Sequence, residues 1–213
     1  MAEAGWPFTI PSNSDHPHAP WYTYSEQNNL DNGYHATAGL AGFILKYADH
    51  SSALYGKALI LSDRMMEKLG SSSPFENHEL YAYTAFLRSV IAAGLEERYD
   101  FRLLQEKLRA LIHAAIERNP ARWPVYSMKP SVYINAPESI FYAGNEEVVD
   151  TELEYILETR AEGGVWDISW KWTDYPREFA VAENWWKAHV AILNLLFLKN
   201  FGRIAGGIFT SSS

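Results

Sequence analysis

The chain of 213 residues contains no cysteine, which excludes disulfide bonds, cysteine-ligated zinc and a thiol nucleophile. It also lacks any cluster of lysine and arginine, and its formal net charge is -8, so we expect no nucleic-acid partner. The longest apolar run, from Val190 to Leu198, is broken by Asn194 and is too short to span a bilayer. Because no basic segment followed by an apolar one opens the chain, we expect no signal peptide and take the cytoplasm as the default location.

Aromatic residues are abundant instead, at 15% of the chain with eight tryptophans. Five of these tryptophans fall within residues 166–186, here called the Trp-rich stretch, together with the carboxylates Asp167 and Asp174. Indole rings provide flat apolar area and a negative π-face. The Trp-rich stretch therefore predicts a pocket for a hydrophobic, cationic or ring-bearing small molecule.

Apolar residues recur at helical spacing along most of the chain, which indicates an all-α fold. We predict a single domain, 1–213, with an irregular arm at 1–32, a helical body at 33–204 and a frayed tail at 205–213. Capping serines, glycines and prolines mark the helix ends. The body is predicted to form antiparallel hairpins from six main helices, at about 33–48, 52–69, 75–96, 101–118, 145–160 and 176–200.

Two further segments combine proline with aromatic residues and interrupt the helical pattern. The first is the arm, and the second is a loop at residues 119–143. Long loops in a compact domain are usually functional. We expect both to gather with the Trp-rich stretch at one end of the domain, over a central cleft, although the arm's aromatic residues would equally suit a cover for the core.

A short motif occurs twice in the chain and resembles the repeat ending of a known family. The segment from Glu158 to Trp166 ends in acid-Gly-Gly-x-Trp, and Gly5-Trp6 echoes it, which would place a further helix before the first residue. Helical hairpins with this ending resemble the α/α toroid of terpenoid cyclases and protein prenyltransferase β-subunits, most closely small bacterial members. The resemblance implies part or all of such a toroid. The cyclases' catalytic Asp-x-Asp-Asp motif is missing, and Asp150-Thr-Glu152 is the nearest match. The zinc site of the prenyltransferases needs a cysteine, which this chain lacks. We therefore expect no metal and no cofactor.

An acid held against indole rings favours its protonated form, because desolvation disfavours the charge. We therefore predict that Asp167 or Asp174 acts as a general acid in cyclisation or isomerisation. The alternative is that Asp167 only caps a turn. The residues predicted to bind the substrate are Trp166, Trp170, Trp172, Trp21, Tyr22, Trp185 and His18.

Three residue pairs or positions have competing interpretations. Trp185 and Trp186 are neighbours on a helix and point about 100° apart, so one of them is expected to reach the cleft. His16 and His18 could hold a metal with Asp15 or Glu79, but Pro17 between them equally predicts a bend. We expect His189 to be a satisfied buried histidine.

Two other functions remain open at the level of sequence. Carbohydrate-active enzymes with α/α barrels also stack sugars on tryptophan and use two carboxylates, so a glycosidase or lyase is one alternative. A non-catalytic binding or scaffold module is the other. The last alternative predicts acids exposed to water and tryptophans packed against one another.

Overall fold

The structure is a computed structural model that describes residues 5–71 and 73–204. Over these residues the chain forms seven α-helices and no strand, which confirms the all-α fold class. The predicted frayed tail, 205–213, and residues 1–4 of the repeat echo lie outside the described residues. The helices are α1 (Glu26–Asp31), α2 (His35–Tyr47), α3 (Ala53–Gly70), α4 (Asn77–Ala92), α5 (Phe101–Ala115), α6 (Glu146–Glu158) and α7 (Pro176–Asn200).

Most helix ends follow the capping signals, but α5 ends at Ala115, before the predicted residue 118. The Ser52 hydroxyl accepts a hydrogen bond from the Tyr55 amide at 3.1 Å and so caps α3 as predicted. The helix α4 ends before the predicted residue 96, because Gly94 adopts φ +67, which stops a helix. The arm is less irregular than predicted, since it contains α1, whose start is capped by the Ser25 hydroxyl.

The chain divides into two compact units, residues 1–115 and 116–213, and each is described by itself. The prediction of one domain, like that of a toroid, stays a prediction. Among the described residues, no helix is both long and apolar enough to cross a membrane.

In the first unit, alternate helices pack together: α2 on α4, and α3 on α5, while α2 also packs on α3. The helices α2 and α4 run parallel, because the rings of His35 and His78, near their two N-termini, lie side by side. Further along, a Cβ on Gly42 would lie 2.9 Å from the Cβ of Ser89, so this glycine permits a close contact between α2 and α4.

In the second unit, α6 carries a fully buried carboxyl group, Glu152. The Ser131 amide and hydroxyl donate to its two oxygens at 2.7 and 2.6 Å. Burial raises the pKa of Glu152, and the nearby charge of Lys129 opposes that shift. These bonds fix the loop at residues 119–143 to α6, so Glu152 has a structural role in the loop that the sequence marked as functional.

Candidate functional site

Trp166 is a core residue of the second unit. Its side chain is 5% exposed, and its indole nitrogen donates to the Ile156 carbonyl oxygen in α6 at 2.8 Å. A hydrogen bond from the Ala161 amide to the Val165 carbonyl closes the turn that brings the ring back onto α6. Because the ring is buried and its donor is used, Trp166 offers no face to a ligand.

The two other tryptophans of the loop pack against rings of their own unit. The ring of Trp170 lies edge-on to Trp186, with centroids 5.5 Å apart, and to Tyr126 at 6.1 Å. The ring of Trp172 lies 5.5 Å from that of Phe179. Aromatic contacts of this kind stabilise a fold, which matches the expectation for a structural module. The indole nitrogens of Trp170 and Trp172 are buried and have no hydrogen-bond partner.

Both candidate acids of the Trp-rich stretch are exposed. The side chain of Asp167 is 89% exposed and lies 3.0 Å from the Lys187 ammonium, which also pairs with Glu183. Asp174 accepts a hydrogen bond from the Thr173 hydroxyl at 3.2 Å. Neither carboxylate is desolvated by indole rings, so the physical reason for predicting a protonated acid here is missing.

The side chains of Trp185 and Trp186 on α7 point in different directions, as the helix geometry requires. Trp186, not the predicted Trp185, faces the rings of its own unit. Its ring contacts Trp170 and, at 5.7 Å, the ring of His189. The predicted binding residue Trp185 is 73% exposed. His189 is exposed rather than buried, because it lies towards the outer face of α7.

The predicted binding residues of the arm lie in the first unit. Trp21 and Tyr22 sit in a 3₁₀ turn, Pro20–Tyr22, and are 40% and 38% exposed. Both ring nitrogens of His18 are engaged within the arm: Nδ1 lies 2.6 Å from the His16 carbonyl oxygen and Nε2 lies 3.1 Å from the Thr23 hydroxyl. This pairing suits the bend at Pro17 better than a metal site, and no three metal-binding side chains come together within the described ranges.

The arm's rings continue into a column that joins the arm to two helix starts. The ring of Tyr22 lies 5.4 Å from Phe8, Phe8 stacks on His35 at 5.2 Å, and His35 stacks on His78 at 5.5 Å. We call these four residues the ring column. Its two imidazoles come from the first turns of α2 and α4, and His78 is exposed.

Both imidazoles of the ring column disfavour a proton. Burial lowers the pKa of His35, the charge of a protonated His78 lowers it further, and Glu79 opposes the shift. Partial burial also lowers the pKa of His78, against the effect of Glu76. The positive ends of α2 and α4 act in the same direction. Both rings are therefore neutral at pH 7, and the enclosed Nδ1 of His35 has no hydrogen-bond partner.

A buried ion pair lies beside the column. Both oxygens of Glu79, which is 2% exposed, accept hydrogen bonds from the Lys68 ammonium at 2.7 Å. The ammonium also lies 4.8 Å from the centre of the Phe75 ring, a cation–π distance. The Tyr34 amide donates to Glu79 at 3.1 Å.

The backbone at Gly33 allows the Glu79 carboxylate to approach closely. Gly33 has φ +51, and a Cβ there would lie 2.8 Å from Oε1 of Glu79. Only glycine satisfies both the left-handed conformation and the close approach. The Lys68–Glu79 pair is thus held by α3, α4 and the turn before α2.

Sequence reasoning missed this group. From the sequence, Glu79 is considered only as a possible metal ligand, and no role is predicted for His35, His78 or Lys68. One signal was available: a histidine follows Gly33 at the start of one predicted helix, and another histidine lies at the start of a second. Two histidines at helix starts become informative only once those helices are known to be parallel neighbours.

No family model matches the chain, and comparison with curated proteins and with solved structures finds no match either.

Proposed function

We propose that the chain is an enzyme for a hydrophobic or ring-bearing small molecule, and that the His35–His78 pair is its proton-transfer group. The observation that carries the proposal is the stack of the His35 and His78 imidazoles, with ring centres 5.5 Å apart, at one end of an aromatic column. A neutral imidazole with a pKa somewhat below 7 is a suitable general base. Perturbed histidines grouped beside a buried ion pair are also typical of functional sites.

The reaction that these groups suit is an isomerisation. His78, which is exposed, would remove a proton from one carbon of the substrate, and the resulting imidazolium would return it to another carbon. The electron pair of the broken C–H bond moves into a new double bond, the old double bond takes up the returned proton, and no co-reactant is consumed. Phe8 and Tyr22 supply apolar ring surface next to the pair.

We also propose that the chain has the α/α toroid fold, and two features support this. Alternate packing of α2 on α4 and of α3 on α5 is what an α/α toroid requires of successive hairpins. The second feature is the contact of Phe8, in the arm, with His35 at the start of α2, because the aromatic segments are predicted to gather at one end of the helices. The proposed isomerisation differs from the sequence prediction in starting from a base rather than from Asp167 or Asp174.

A non-catalytic role is the second candidate, and the Trp-rich stretch is the observation that favours it. Asp167 is 89% exposed and paired with Lys187, while Trp166, Trp170 and Trp172 pack within their own unit. A glycosidase or lyase needs two free carboxylates near its bound sugar, and the ion pair to Lys187 does not favour Asp167 for that role.

The test is a substrate screen followed by three single variants. Linear isoprenoids, their diphosphates and neutral and acidic oligosaccharides would be incubated with the protein, and products identified by mass spectrometry and by deuterium uptake from heavy water. We expect His78→Gln to lower turnover of any substrate found by at least about a hundredfold, the usual size of a general-base effect. Asp167→Asn and Asp174→Asn are the matched controls and should retain full turnover. Loss of activity in the controls but not in His78→Gln would overturn the proposal.

A further inference from the structure

The helix α7 has two apolar faces, and its own unit covers only one of them. Phe179, Phe197 and Leu198 are buried. The other face carries large side chains that are between 43% and 73% exposed. These residues are Val181, Trp185, Ile192, Leu195 and Leu196.

The exposed face has the spacing of a helix–helix seam. Val181, Trp185, Ala188, Ile192 and Leu195 follow one another at intervals of four, three, four and three residues, and all five are exposed. At about 100° per residue this spacing forms a narrow stripe along one side of the helix. The same alternation of four and three is the a/d pattern by which two helices interlock. We call these five residues the outer stripe.

Charged residues lie only at the ends of the outer stripe. Arg177 and Glu178 precede it and Lys199 follows it, and all three are exposed. In an antiparallel pair of α7 helices, Glu178 of one protomer approaches Lys199 of the partner subunit, and the helix dipoles oppose each other favourably. A parallel pair would instead place the two Lys199 side chains together and align the two helix dipoles unfavourably. The Glu178–Lys199 pairing and the helix dipoles therefore favour the antiparallel arrangement.

We propose that the outer stripe binds a second copy of this chain, with the two α7 helices antiparallel about a centre near Ala188. The exposed apolar area of the stripe and of Leu196 is at the upper end of the largest patch on a typical monomer, about 300–600 Å². Two such faces together reach about the 1,200 Å² at which specific interfaces begin. Trp185, with 73% of its side chain exposed, is the anchor, because buried tryptophan is the commonest hot spot of interfaces.

Sedimentation equilibrium on the full chain tests the proposal. The wild type should form a dimer, and Trp185→Glu and Ile192→Glu should each raise the dimer Kd at least tenfold. Leu103→Glu is the matched control, because Leu103 is 55% exposed on α5 in the other unit. Lys199→Glu should weaken the dimer, and Glu178→Lys combined with it should restore it. A wild type that stays monomeric at high micromolar concentration, or a dimer that resists both stripe variants, would overturn the proposal.

Cross-linking fixes the orientation, since the chain has no cysteine of its own. A single Ala188→Cys variant should form a disulfide-linked dimer on mild oxidation, because the two copies of residue 188 meet at the centre. A single Val181→Cys variant should not, because its copies lie at opposite ends. Efficient cross-linking through Val181→Cys alone would show a parallel pair and contradict the arrangement proposed here.

Discussion

The Trp-rich stretch and the ring column are both aromatic groups built on helices, yet they differ in what their polar atoms do. In the Trp-rich stretch the acids are exposed, and the Trp166 indole is tied to Ile156 within the core. In the ring column His35 lies between Phe8 and His78, and burial lowers the pKa of both imidazoles. Aromatic density alone therefore does not identify a site. What matters is whether the rings desolvate a group that can transfer a proton.

The two regions also hold their ion pairs differently. Asp167 and Lys187 meet at the surface, where water screens the attraction. Glu79 is buried and accepts two hydrogen bonds from Lys68. A buried pair fixes its neighbours because neither charge can be removed without leaving the other unpaired. The following predictions sharpen this contrast between a structural and a reactive aromatic group.

The largest effect is expected at Trp166. Trp166→Ala should lower the free energy of unfolding by about 3–5 kcal/mol, because it removes a buried ring and leaves a cavity. The control is Trp185→Ala, which changes an exposed ring and should stay within about 0.5 kcal/mol at protein concentrations where the chain is monomeric. Urea unfolding followed by circular dichroism measures both. Equal effects of the two variants would show that Trp166 is not a core residue.

A smaller but still large effect is expected at the buried ion pair. Lys68→Ala leaves the Glu79 carboxylate buried without an opposite charge and should cost about 3 kcal/mol of unfolding free energy. Arg98→Ala is the control, since it breaks the Arg98–Asp63 pair, in which both side chains are more than 40% exposed, and should cost about 1 kcal/mol or less. Similar losses in the two variants would contradict the burial of Glu79.

The two histidines of the ring column are expected to make the free energy of unfolding depend on pH. The pKa values of His35 and His78 are lowered in the folded state, so the unfolded chain binds more protons just below pH 6.5. Stability from this source is complete above pH 6.5 and is lost as the pH falls through the lowered folded-state values. The double variant His35→Phe with His78→Gln should flatten the slope of unfolding free energy in this window. An unchanged slope would show that the imidazoles are not perturbed.

The smallest effect is expected at Asp167. Asp167→Asn removes only a solvent-exposed pairing with Lys187, which still has Glu183 as a partner. Thermal unfolding at neutral pH should therefore be indistinguishable from that of the wild type. A clear fall in melting temperature would mean that the Trp-rich stretch depends on this charge, contrary to its exposure.

Local signals in the sequence were sufficient for most helices but not for the site. Ser52 and Pro176 mark helix starts by their own chemistry, and the structure places α3 and α7 accordingly. The contact between His35 and His78 depends instead on the parallel packing of α2 and α4 with α3 between them in the chain. No local pattern encodes that contact.

The difference between the expected and the observed burial in the Trp-rich stretch has a similar cause. Whether Asp167 is desolvated depends on whether the neighbouring indole rings cover its carboxylate, and the sequence does not show that; in the structure its side chain is 89% exposed. The burial of Trp166 likewise depends on the turn that returns the chain to Ile156. A group of aromatic residues and acids in a sequence predicts proximity, while the degree of burial follows only from tertiary packing.

The most direct test follows ligand binding by nuclear magnetic resonance on one sample, comparing imidazole and indole signals. The chain has seven histidines and eight tryptophans, few enough to assign by single substitutions. On addition of linear isoprenoids, their diphosphates or oligosaccharides, we expect the His35 and His78 signals to shift with a saturable dependence on ligand. The indole N–H signals of Trp170 and Trp172 should stay unchanged. Shifts confined to those indoles, or none with any ligand of the panel, would contradict a site at the ring column.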